Sequence, residues 1–497
     1  MKHFQLKFVT DKSIIRWLKI LNFFEKNKAC ILSELIDLTS SSPRTLITDL
    51  GAIRDYFGGT LKLTSSENGY SFEEIKPSEY IEKKRALLRN EPIFIILESI
   101  FFGEIHPLSE WSEILHMTEK TLRKYLREAN LHLAPYKITF HANPVTLEGD
   151  EVNIRSFLCA FYYEMDITPH TVFPSISTQE VIYDISELFP ENSHEFTSYG
   201  YFSYLLYISL ERARLGHKVD LDSKLIEIIN KTELFTTFKQ VHRSISTNFG
   251  FIPSENELIY IFGCIICHRK IINPIIEDRF CNIMNTWPSI KELTKSFYLL
   301  VQPDIKDTAG AVILLESFFT TMKIKELLTG ASPINIDDVN GFVINHFSQE
   351  YSNYFSFLTS TSQFKELFAP NSFEDICSNL VLHTETLLSS FWGEPKNIAF
   401  IFEGNVYVSH YVQSWSQKYF GKFHNVYYPN SSDLSQDYFE ENNIDLLVTN
   451  YSDYLTDYLL DIECILFKSI PEASDWNKLF YWLNPKITHD FILENRV

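Results

Sequence analysis

A haem-attachment string stands in the middle of the 497-residue chain, where Cys264, Cys267 and His268 spell CxxCH. In such a string two thiols would bind the haem and the histidine would ligate its iron. The string lies, however, at the end of the longest apolar run of the chain, residues 258–267. No second CxxC occurs, and Cys281 alone does not complete the four ligands of a zinc site. The sequence therefore predicts core cysteines beside a histidine at a helix end, with no metal and no cofactor.

Catalytic strings are missing as well. The loop Phe402-Glu403-Gly404-Asn405 joins a predicted strand to a predicted helix, but it has one glycine and an acid where a phosphate would bind. It matches neither GxGxxG nor GxxxxGK[ST], so we do not expect nucleotide binding. Neither GxSxG nor HExxH occurs in the chain. We therefore expect a protein that is not an enzyme.

Basic and hydroxyl side chains on two short helices could instead bind double-stranded DNA. The first predicted recognition helix covers residues 43–57 and turns Leu46, Leu50 and Ile53 inward. Arginine can pair with guanine through two hydrogen bonds, and serine or threonine hydroxyls can contact phosphates or bases. The predicted DNA-binding residues of this helix are Ser42, Arg44, Thr45, Thr48 and Arg54.

The second predicted recognition helix covers residues 118–131. Residues 118–141 contain five Lys/Arg against two Asp/Glu and form the most basic window of the chain. The predicted DNA-binding residues here are Lys120, Thr121, Arg123, Lys124 and Arg127. Two ordinary helical hairpins with solvated charged faces are the alternative interpretation. DNA contact is favoured because helix pattern, hairpin and charge agree twice.

The elements around these helices repeat one pattern. Residues 13–57 predict three short helices, and Gly58-Gly59 ends the third. Strand-like residues 60–64 and 70–72 then flank a Ser-Ser-Glu-Asn-Gly turn. Helices at 93–102, 108–115 and 118–131, with strands at 138–141 and 145–147, form a second copy. A helix-turn-helix followed by a hairpin is typical of the winged helix.

Charge is distributed unevenly along the chain. The formal net charge is −20, yet residues 1–130 carry 19 Lys/Arg against 18 Asp/Glu, whereas residues 131–497 carry 25 against 46. Contact with a polyanion is therefore expected only at the amino-terminal part. The amino terminus has no signal-peptide pattern, and the longest apolar run is shorter than the about 20 residues that span a bilayer. Together with seven scattered cysteines, these features predict a cytoplasmic protein without membrane contact.

The rest of the chain divides into a helical body and an α/β tail. Residues 152–390 carry helical periodicity throughout, and the halves 152–285 and 286–392 have similar lengths. From residue 398 on, apolar runs at 398–402 and 444–449 alternate with helical patterns. Such alternation predicts a small parallel α/β domain. The expected fold class is thus a mostly α, multidomain protein.

With two winged helices, two helical bundles and an α/β tail in that order, the chain resembles the Mga/AtxA family of transcriptional regulators from Gram-positive bacteria. The strings SSPRTLITDLGAIRDYF, HMTEKTLRKYLREANLHL, YLLYISLERARLGHKV and NIDLLVTNY carry the resemblance. It implies a winged helix of Mga type at 1–75 and a second winged helix at 76–151. Two phosphotransferase-system regulatory domains (PRDs) follow at 152–285 and 286–392, and a domain similar to enzyme IIB of sugar phosphotransferase systems at 393–497. In that family histidine phosphorylation in the PRDs adjusts activity, and the tail mediates self-association.

This chain departs from the family pattern at its phosphorylation sites. Tyr207 stands where the first typical PRD histidine is expected, and Cys264 where the second is expected. The strand that should end in the phosphorylated cysteine of an enzyme IIB ends in Phe402-Glu403. If phosphorylation by the phosphocarrier protein occurs, it falls to other histidines. These candidates are His217, His268, His346 and His383.

The resulting prediction is a DNA-binding transcriptional regulator, an activator by family resemblance, that works as a homodimer. An RNA-binding antiterminator shares PRDs but begins with a small β-rich module, which the helical start here disfavours. A phosphotransferase-system adaptor is the other alternative, and the missing cysteine near Phe402 counts against it.

Overall fold

The computed structural model of the chain describes residues 3–66, 69–163, 167–188, 199–301, 308–330, 332–335, 337–391, 396–421, 424–429, 435–452, 454 and 462–483. The chain separates into two compact units. The first consists of Met1–Gln302 and Ala309–Leu387, the second of Pro303–Thr308 and Leu388–Val497. The first unit is almost entirely helical, and the second contains a parallel sheet.

The first winged helix has the predicted three helices and hairpin. In chain order the elements are α1 (His3–Leu6), α2 (Lys12–Asn27), β1 (Ala29–Cys30), α3 (Leu32–Thr39), α4 (Pro43–Phe57), β2 (Leu61–Ser66), β3 (Gly69–Glu74) and α5 (Pro77–Ala86). The antiparallel hairpin β2–β3 is extended by β1, so that the strand order is β1-β3-β2. The inner face of α4 packs on α2, α3 and the hairpin and forms a separate apolar core that includes Phe24, Leu50 and Phe72.

The second winged helix repeats this arrangement with a two-stranded wing. Its elements are α6 (Pro92–Phe101), α7 (Leu108–Ile114), α8 (Glu119–Leu133), β4 (Thr139–Ala142) and β5 (Val145–Glu148). Its apolar residues do not form a core of their own. They join one continuous cluster that also contains Phe4 and Phe8 near the amino terminus and Phe157 and Phe161 of the following helix. The core therefore crosses residue 151, where the sequence predicts a domain boundary.

A first helical bundle follows directly. Its helices are α9 (Glu151–Tyr162), α10 (Ile176–Leu188), α11 (Tyr199–Arg214), α12 (Ser223–Asn230), α13 (Glu233–Phe238), α14 (His242–Phe249), α15 (Glu255–Ile266) and α16 (Pro274–Met284). A buried ionic cluster holds three of them together. Arg155 of α9 contacts Glu257 of α15 (Nη1 to Oε2, 2.5 Å) and Glu151 (Nε to Oε1, 2.9 Å), and Arg212 of α11 binds the same Glu151 (Nη2 to Oε2, 2.6 Å). Two positive charges thus meet two negative ones, which is the condition for keeping charges inside a core.

The second bundle consists of α17 (Pro288–Val301), α18 (Thr308–Thr329), α19 (Asp337–His346), α20 (Ser348–Ser360), α21 (Ser362–Leu367) and α22 (Phe373–Phe391). Its centre includes an edge-on contact of Phe297 and Tyr354, whose ring centroids are 4.9 Å apart. The later part of α18 belongs equally to the first bundle, because Ile324 and Leu328 are members of the large core cluster.

The second unit is the predicted parallel α/β domain. Its elements are β6 (Asn397–Ile401), α23 (Val406–Tyr419), β7 (Asn425–Tyr427), α24 (Gln436–Glu441), β8 (Leu446–Thr449), β9 (Cys464–Leu466) and α25 (Ala473–Leu483). The strand order is β7-β6-β8-β9, and all pairs are parallel. Ile398 and Phe400 enter one apolar cluster and Ala399 and Ile401 another, so both faces of the central strand are covered, as expected for a parallel sheet.

Candidate nucleic-acid interface

The first recognition helix, α4, begins at a serine cap. The Ser42 hydroxyl accepts a hydrogen bond from the Thr45 backbone N–H (3.2 Å) and pairs with the Thr45 hydroxyl (2.9 Å). Pro43 occupies the first helical position, where its missing N–H costs no hydrogen bond. Gly58, with a φ of 54°, ends the helix at the predicted residue. The local sequence therefore fixes both ends of α4 without help from distant residues.

The solvent face of α4 is the predicted one. Leu46, Leu50 and Ile53 are buried. Of the predicted DNA-binding residues, Ser42, Arg44, Thr48 and Arg54 are exposed and Thr45 is half-buried. The structure gives two of the hydroxyls a local role. Thr45 completes the cap, and Thr48 donates to the carbonyl oxygen of Arg44 (3.0 Å).

The second recognition helix, α8, begins in the same way. The Thr118 hydroxyl accepts from the Thr121 backbone N–H (3.2 Å) and pairs with the Thr121 hydroxyl (2.9 Å). Leu122 and Leu126 are on the buried face. The predicted residues Lys120, Arg123, Lys124 and Arg127 are exposed, and Thr121 is half-buried. The hydroxyls of Thr45 and Thr121 thus belong to helix caps, a role that the spacing of Ser42-Thr45 and Thr118-Thr121 already indicates.

The exposed cations on the two helices differ in whether they form ion pairs. Within the described part of the chain, Arg44, Arg54, Lys120 and Arg127 form no ion pair. Arg123 and Lys124 contact Glu119 (3.3 Å) and Glu128 (3.8 Å) at exposed positions. Exposed pairs of this kind are worth about 0–1 kcal/mol, so a phosphate could displace either carboxylate.

Each recognition helix is held by a polar contact that the sequence analysis did not identify. Asp49, on the inner side of α4, accepts from Arg16 of α2 (Nε to Oδ2, 2.7 Å) and from the indole N–H of Trp17 (3.1 Å). On α8, the Asn130 side-chain oxygen accepts from the Phe140 backbone N–H of the wing (2.7 Å). These residues position the helices relative to their neighbours and do not face solvent.

The wings add exposed residues that the predictions left out. In β2, Leu61 and Leu63 are buried, and Lys62 and Thr64 on the other side are exposed. In β4, His141 is exposed and its ring Nδ1 lies 3.2 Å from the Pro144 carbonyl oxygen. The two-residue alternation of a half-buried strand is the signal that could have identified them.

Of the four candidate phosphorylation sites, His346 is exposed and the other three are half-buried. His346 is exposed at the end of α19, where its Nδ1–H donates to the Phe342 carbonyl oxygen (2.9 Å). This bond leaves Nε2 with its lone pair. His217 is half-buried, and burial together with the nearby positive charge of Arg212 lowers its pKa.

The rings of the other two candidates each stack on one aromatic residue. Burial lowers the pKa of His383 to about 4, and its ring stacks on Phe318 at a centroid distance of 5.0 Å. Burial and, next, the charge of Lys325 lower the pKa of His268 to about 3. Its ring stacks on Tyr201 at 3.9 Å.

The residues at the typical family positions are also buried. Tyr207 and Cys264 are 6% and 7% exposed, and burial raises the pKa of both side chains, to about 12 for Tyr207. In the second unit, the loop after β6 is tied by two hydrogen bonds to Asn450, which follows β8. The Glu403 backbone N–H donates to Asn450 Oδ1 (2.8 Å), and the Asn450 side chain donates back to the Glu403 carbonyl oxygen (2.9 Å).

Two further features concern metals and membranes. Within the described ranges, no group of three or more His, Cys, Asp and Glu residues could hold a metal ion. Cys264 of the CxxCH string lies inside α15, Cys267 is the residue that ends this helix, and His268 follows it. None of the helices that the structure describes has the length and apolar character needed to cross a membrane.

A comparison with known protein families finds a match at the second winged helix. Residues 81–162 match the Mga helix-turn-helix domain, from within α5 to the end of α9. The match includes α8, whereas the Mga-type assignment of residues 1–75 remains a prediction. The chain is also similar to the capsule synthesis positive regulator AcpB of Bacillus anthracis, with 21% identity over 304 residues. That alignment covers 60% of this chain and 63% of the regulator, so the chain spans less than two thirds of its relative's length. The two matches confirm the predicted resemblance to the Mga/AtxA family.

Proposed function

We propose that the chain is a DNA-binding transcriptional regulator, an activator like the positive regulator it resembles, and that it acts as a homodimer on promoter DNA. The observation that carries the proposal is the pair of capped helices α4 and α8, each of which presents unpaired cations to solvent. The second of them lies inside the Mga helix-turn-helix match. A recognition helix uses its amino-terminal residues to contact base edges in the major groove.

The two helices would divide the contacts. Arg44 lies in the first turn of α4, where its guanidinium can reach a guanine edge, and Arg54 lies at the other end, where it can reach the backbone. On α8, the four exposed cations Lys120, Arg123, Lys124 and Arg127 can neutralise phosphates. The acidic remainder of the chain, with 25 Lys/Arg against 46 Asp/Glu after residue 130, would be repelled by DNA and so favour binding through the winged helices.

Self-association is proposed to use the second unit. Four large side chains of α23 are exposed, among them Tyr407 at 78% and Tyr411 at 53%. Tyr407 and Tyr411 lie four positions apart and therefore on one helical face. Val406 and Tyr419 are exposed as well. Exposed aromatic residues in one patch favour a protein interface. Two copies joined through α23 would present four recognition helices to one DNA molecule and raise its affinity.

Phosphorylation is proposed at His346 among the four candidates. His346 is exposed and its Nε2 lone pair is the nucleophile that phosphoryl transfer requires, whereas His268 and His383 are half-buried. Incubation of full-length protein with a phosphorylated phosphocarrier protein should label the wild type and His383→Ala but not His346→Ala. Equal labelling of the wild type and His346→Ala would exclude this site.

DNA binding is tested with purified full-length protein and a library of duplex DNA at two salt concentrations. The Arg123→Ala/Lys124→Ala variant should lower the slope of log K against log salt by about 1.8, because about 0.9 is lost for each phosphate contact. Arg44→Ala should reduce the preference for the selected sequence by about 1–3 kcal/mol. Lys270→Ala/Lys295→Ala removes two exposed lysines of the helical bundles and should change neither quantity. Absence of binding by the wild type at low salt would refute the proposal.

The dimer is tested by sedimentation of the same protein. Tyr407→Ser/Tyr411→Ser should weaken dimerisation while the circular dichroism spectrum stays that of the wild type. Tyr183→Ser removes a tyrosine of α10 that is 61% exposed and serves as the control. A dimer that is equally stable in both variants would move the interface away from α23.

A further inference from the structure

A small cavity lies where three parts of the first unit meet. Its walls are formed by the turn that follows α8, by α9, α11 and α15 of the first bundle, and by α18 with the loop at 333–335. Its volume is about 60 Å³. Since one water-sized position needs about 10–15 Å³ on this measure, the cavity holds about five heavy atoms.

The lining of this cavity is unusual for so acidic a protein. Asp and Glu number 64 in the chain, yet no described residue of either type lines the cavity. Lys325 of α18 does, together with the hydroxyl-bearing residues Ser156, Tyr201 and Thr329. The carboxylate of Asp375, which holds the adjoining loop, is occupied by the backbone N–H of Ile334 (2.7 Å) and by other donors.

Lys325 itself lacks an internal partner. It is half-buried, and within the described part of the chain its ammonium group makes neither an ion pair nor a hydrogen bond. Its positive charge acts on the cavity wall, where it lowers the pKa of His268 in addition to the effect of burial. His268 is therefore neutral at physiological pH, and Lys325 remains the charged group of the cavity. A half-buried lysine without a counter-charge can serve as the counter-ion of a small anion that enters the cavity.

We propose that this cavity binds a small oxyanion of the phosphate class, with Lys325 as its counter-ion and Ser156 as a hydrogen-bond donor. Phosphate has five heavy atoms and fits the volume, whereas a phosphorylated sugar does not. Because Tyr136 in the wall follows the recognition helix α8 by three residues, the oxyanion joins the second winged helix to both helical bundles. Its occupancy then sets how firmly α8 is held. This regulatory consequence rests on the proposed DNA binding, but the binding site does not.

The site is tested by calorimetry and thermal unfolding of the full-length protein without DNA. Inorganic phosphate should bind and raise the unfolding temperature, with potassium chloride at equal ionic strength as the reference. Lys325→Met, which removes the charge but keeps the aliphatic stem, should weaken phosphate binding about tenfold or more. Lys295→Met on α17 replaces an exposed lysine and should bind phosphate as the wild type does. Glucose 6-phosphate should have no effect, since it is too large.

A second variant keeps the test independent of the lysine. Ser156→Met fills the cavity and should abolish binding while the ammonium group is retained. The proposal is overturned if phosphate has no effect on the wild type beyond that of chloride, if both cavity variants bind as the wild type does, or if glucose 6-phosphate binds as well as phosphate. Regulation is measured separately, as the DNA affinity with and without phosphate. Phosphate should change this affinity in the wild type but not in Lys325→Met. Failure of DNA binding alone would refute the proposed function and leave the oxyanion site intact.

Discussion

Helices α4 and α8 begin with the same pair of hydroxyl groups, yet they differ in their supports and in their charges. Helix α4 is fixed by a partly buried carboxylate, Asp49, which binds an arginine and a tryptophan of α2. Helix α8 is fixed by its apolar face and by one amide contact between Asn130 and the wing. Helix α8 exposes four cations, whereas α4 exposes two cations. Helix α4 is thus held in a defined orientation by polar contacts, whereas α8 offers the stronger electrostatic attraction to DNA.

The largest expected effect on stability concerns the side chains that hold the two helices, Asp49 and Asn130. Asp49→Ala leaves the Arg16 guanidinium partly buried without its partner and should lower the free energy of unfolding of the first winged helix by about 2–3 kcal/mol. Asn130→Ala, which removes one neutral contact from α8, should cost about 1 kcal/mol. Hydrogen exchange of α4 and α8 in the full-length protein measures both. Equal losses would show that the two helices are supported equally.

The amino-terminal caps of α4 and α8 should contribute equally to the free energy of unfolding. Ser42→Ala and Thr118→Ala each remove the acceptor for a backbone N–H and the hydrogen-bond partner of a threonine hydroxyl, so each should cost about 1 kcal/mol. Chemical denaturation of the two variants, with Ser42→Thr and Thr118→Ser as controls that keep the hydroxyl, gives the comparison. If only one of the two alanine variants loses stability, the helix of the other variant is held mainly by tertiary contacts.

A smaller effect concerns the acids on α8. Glu119→Gln/Glu128→Gln frees Arg123 and Lys124 and removes two negative charges, so DNA affinity should rise by a few-fold, which corresponds to about 1 kcal/mol or less. Asp55→Asn changes the exposed acid of α4 and should have a weaker effect. Titration of labelled duplex DNA at low salt measures both. If Asp55→Asn has the larger effect, α4 contributes more electrostatic attraction than we infer.

The smallest effect lies at the junction between the winged helices. Glu91, at the start of α6, accepts hydrogen bonds from the Thr10 backbone N–H (2.8 Å) and hydroxyl (3.0 Å) ahead of α2. Burial raises its pKa above the ordinary value, against the lowering by these bonds. The contribution of this group to stability is therefore largest below the unfolded-state pKa and falls as the pH rises through the higher folded-state pKa.

Glu91→Gln keeps an acceptor oxygen for Thr10 and removes this titration. The stability of the variant relative to the wild type should therefore increase as the pH rises through the acidic range. Thermal unfolding at several pH values measures the difference. A difference that does not change with pH would contradict the raised pKa of Glu91.

Local signals predicted the recognition helices well. Residues 43–57 form a helix with the predicted bounds, because Ser42-Pro43 and Gly58 mark its ends in the sequence itself. Helix α8 continues two residues beyond the predicted end and stops at Leu133. The exposed sides of both helices follow from the spacing of their leucines. The DNA-binding and phosphorylation roles of the named residues stay predictions.

Contacts between distant residues could not be predicted in this way. Strand β1 has two residues and exists because Cys30 pairs with Tyr70 across the wing. The pair Arg155–Glu257 joins residues 102 positions apart, and no local pattern distinguishes these two from surface charges. The cavity at Lys325 needs four helices to be in place before it exists at all.

The shared core of the second winged helix has a consequence for how such chains evolve. Phe8 and Tyr136 contact Phe157 beyond residue 151, so recombination between genes at that point would expose apolar surface on both products. The second winged helix and the first bundle can therefore be inherited only together. Most of the first winged helix has its own core, so it can be exchanged as a cassette if Phe4 and Phe8, which pack in the core of the second, are kept, and new DNA specificities would be acquired there first.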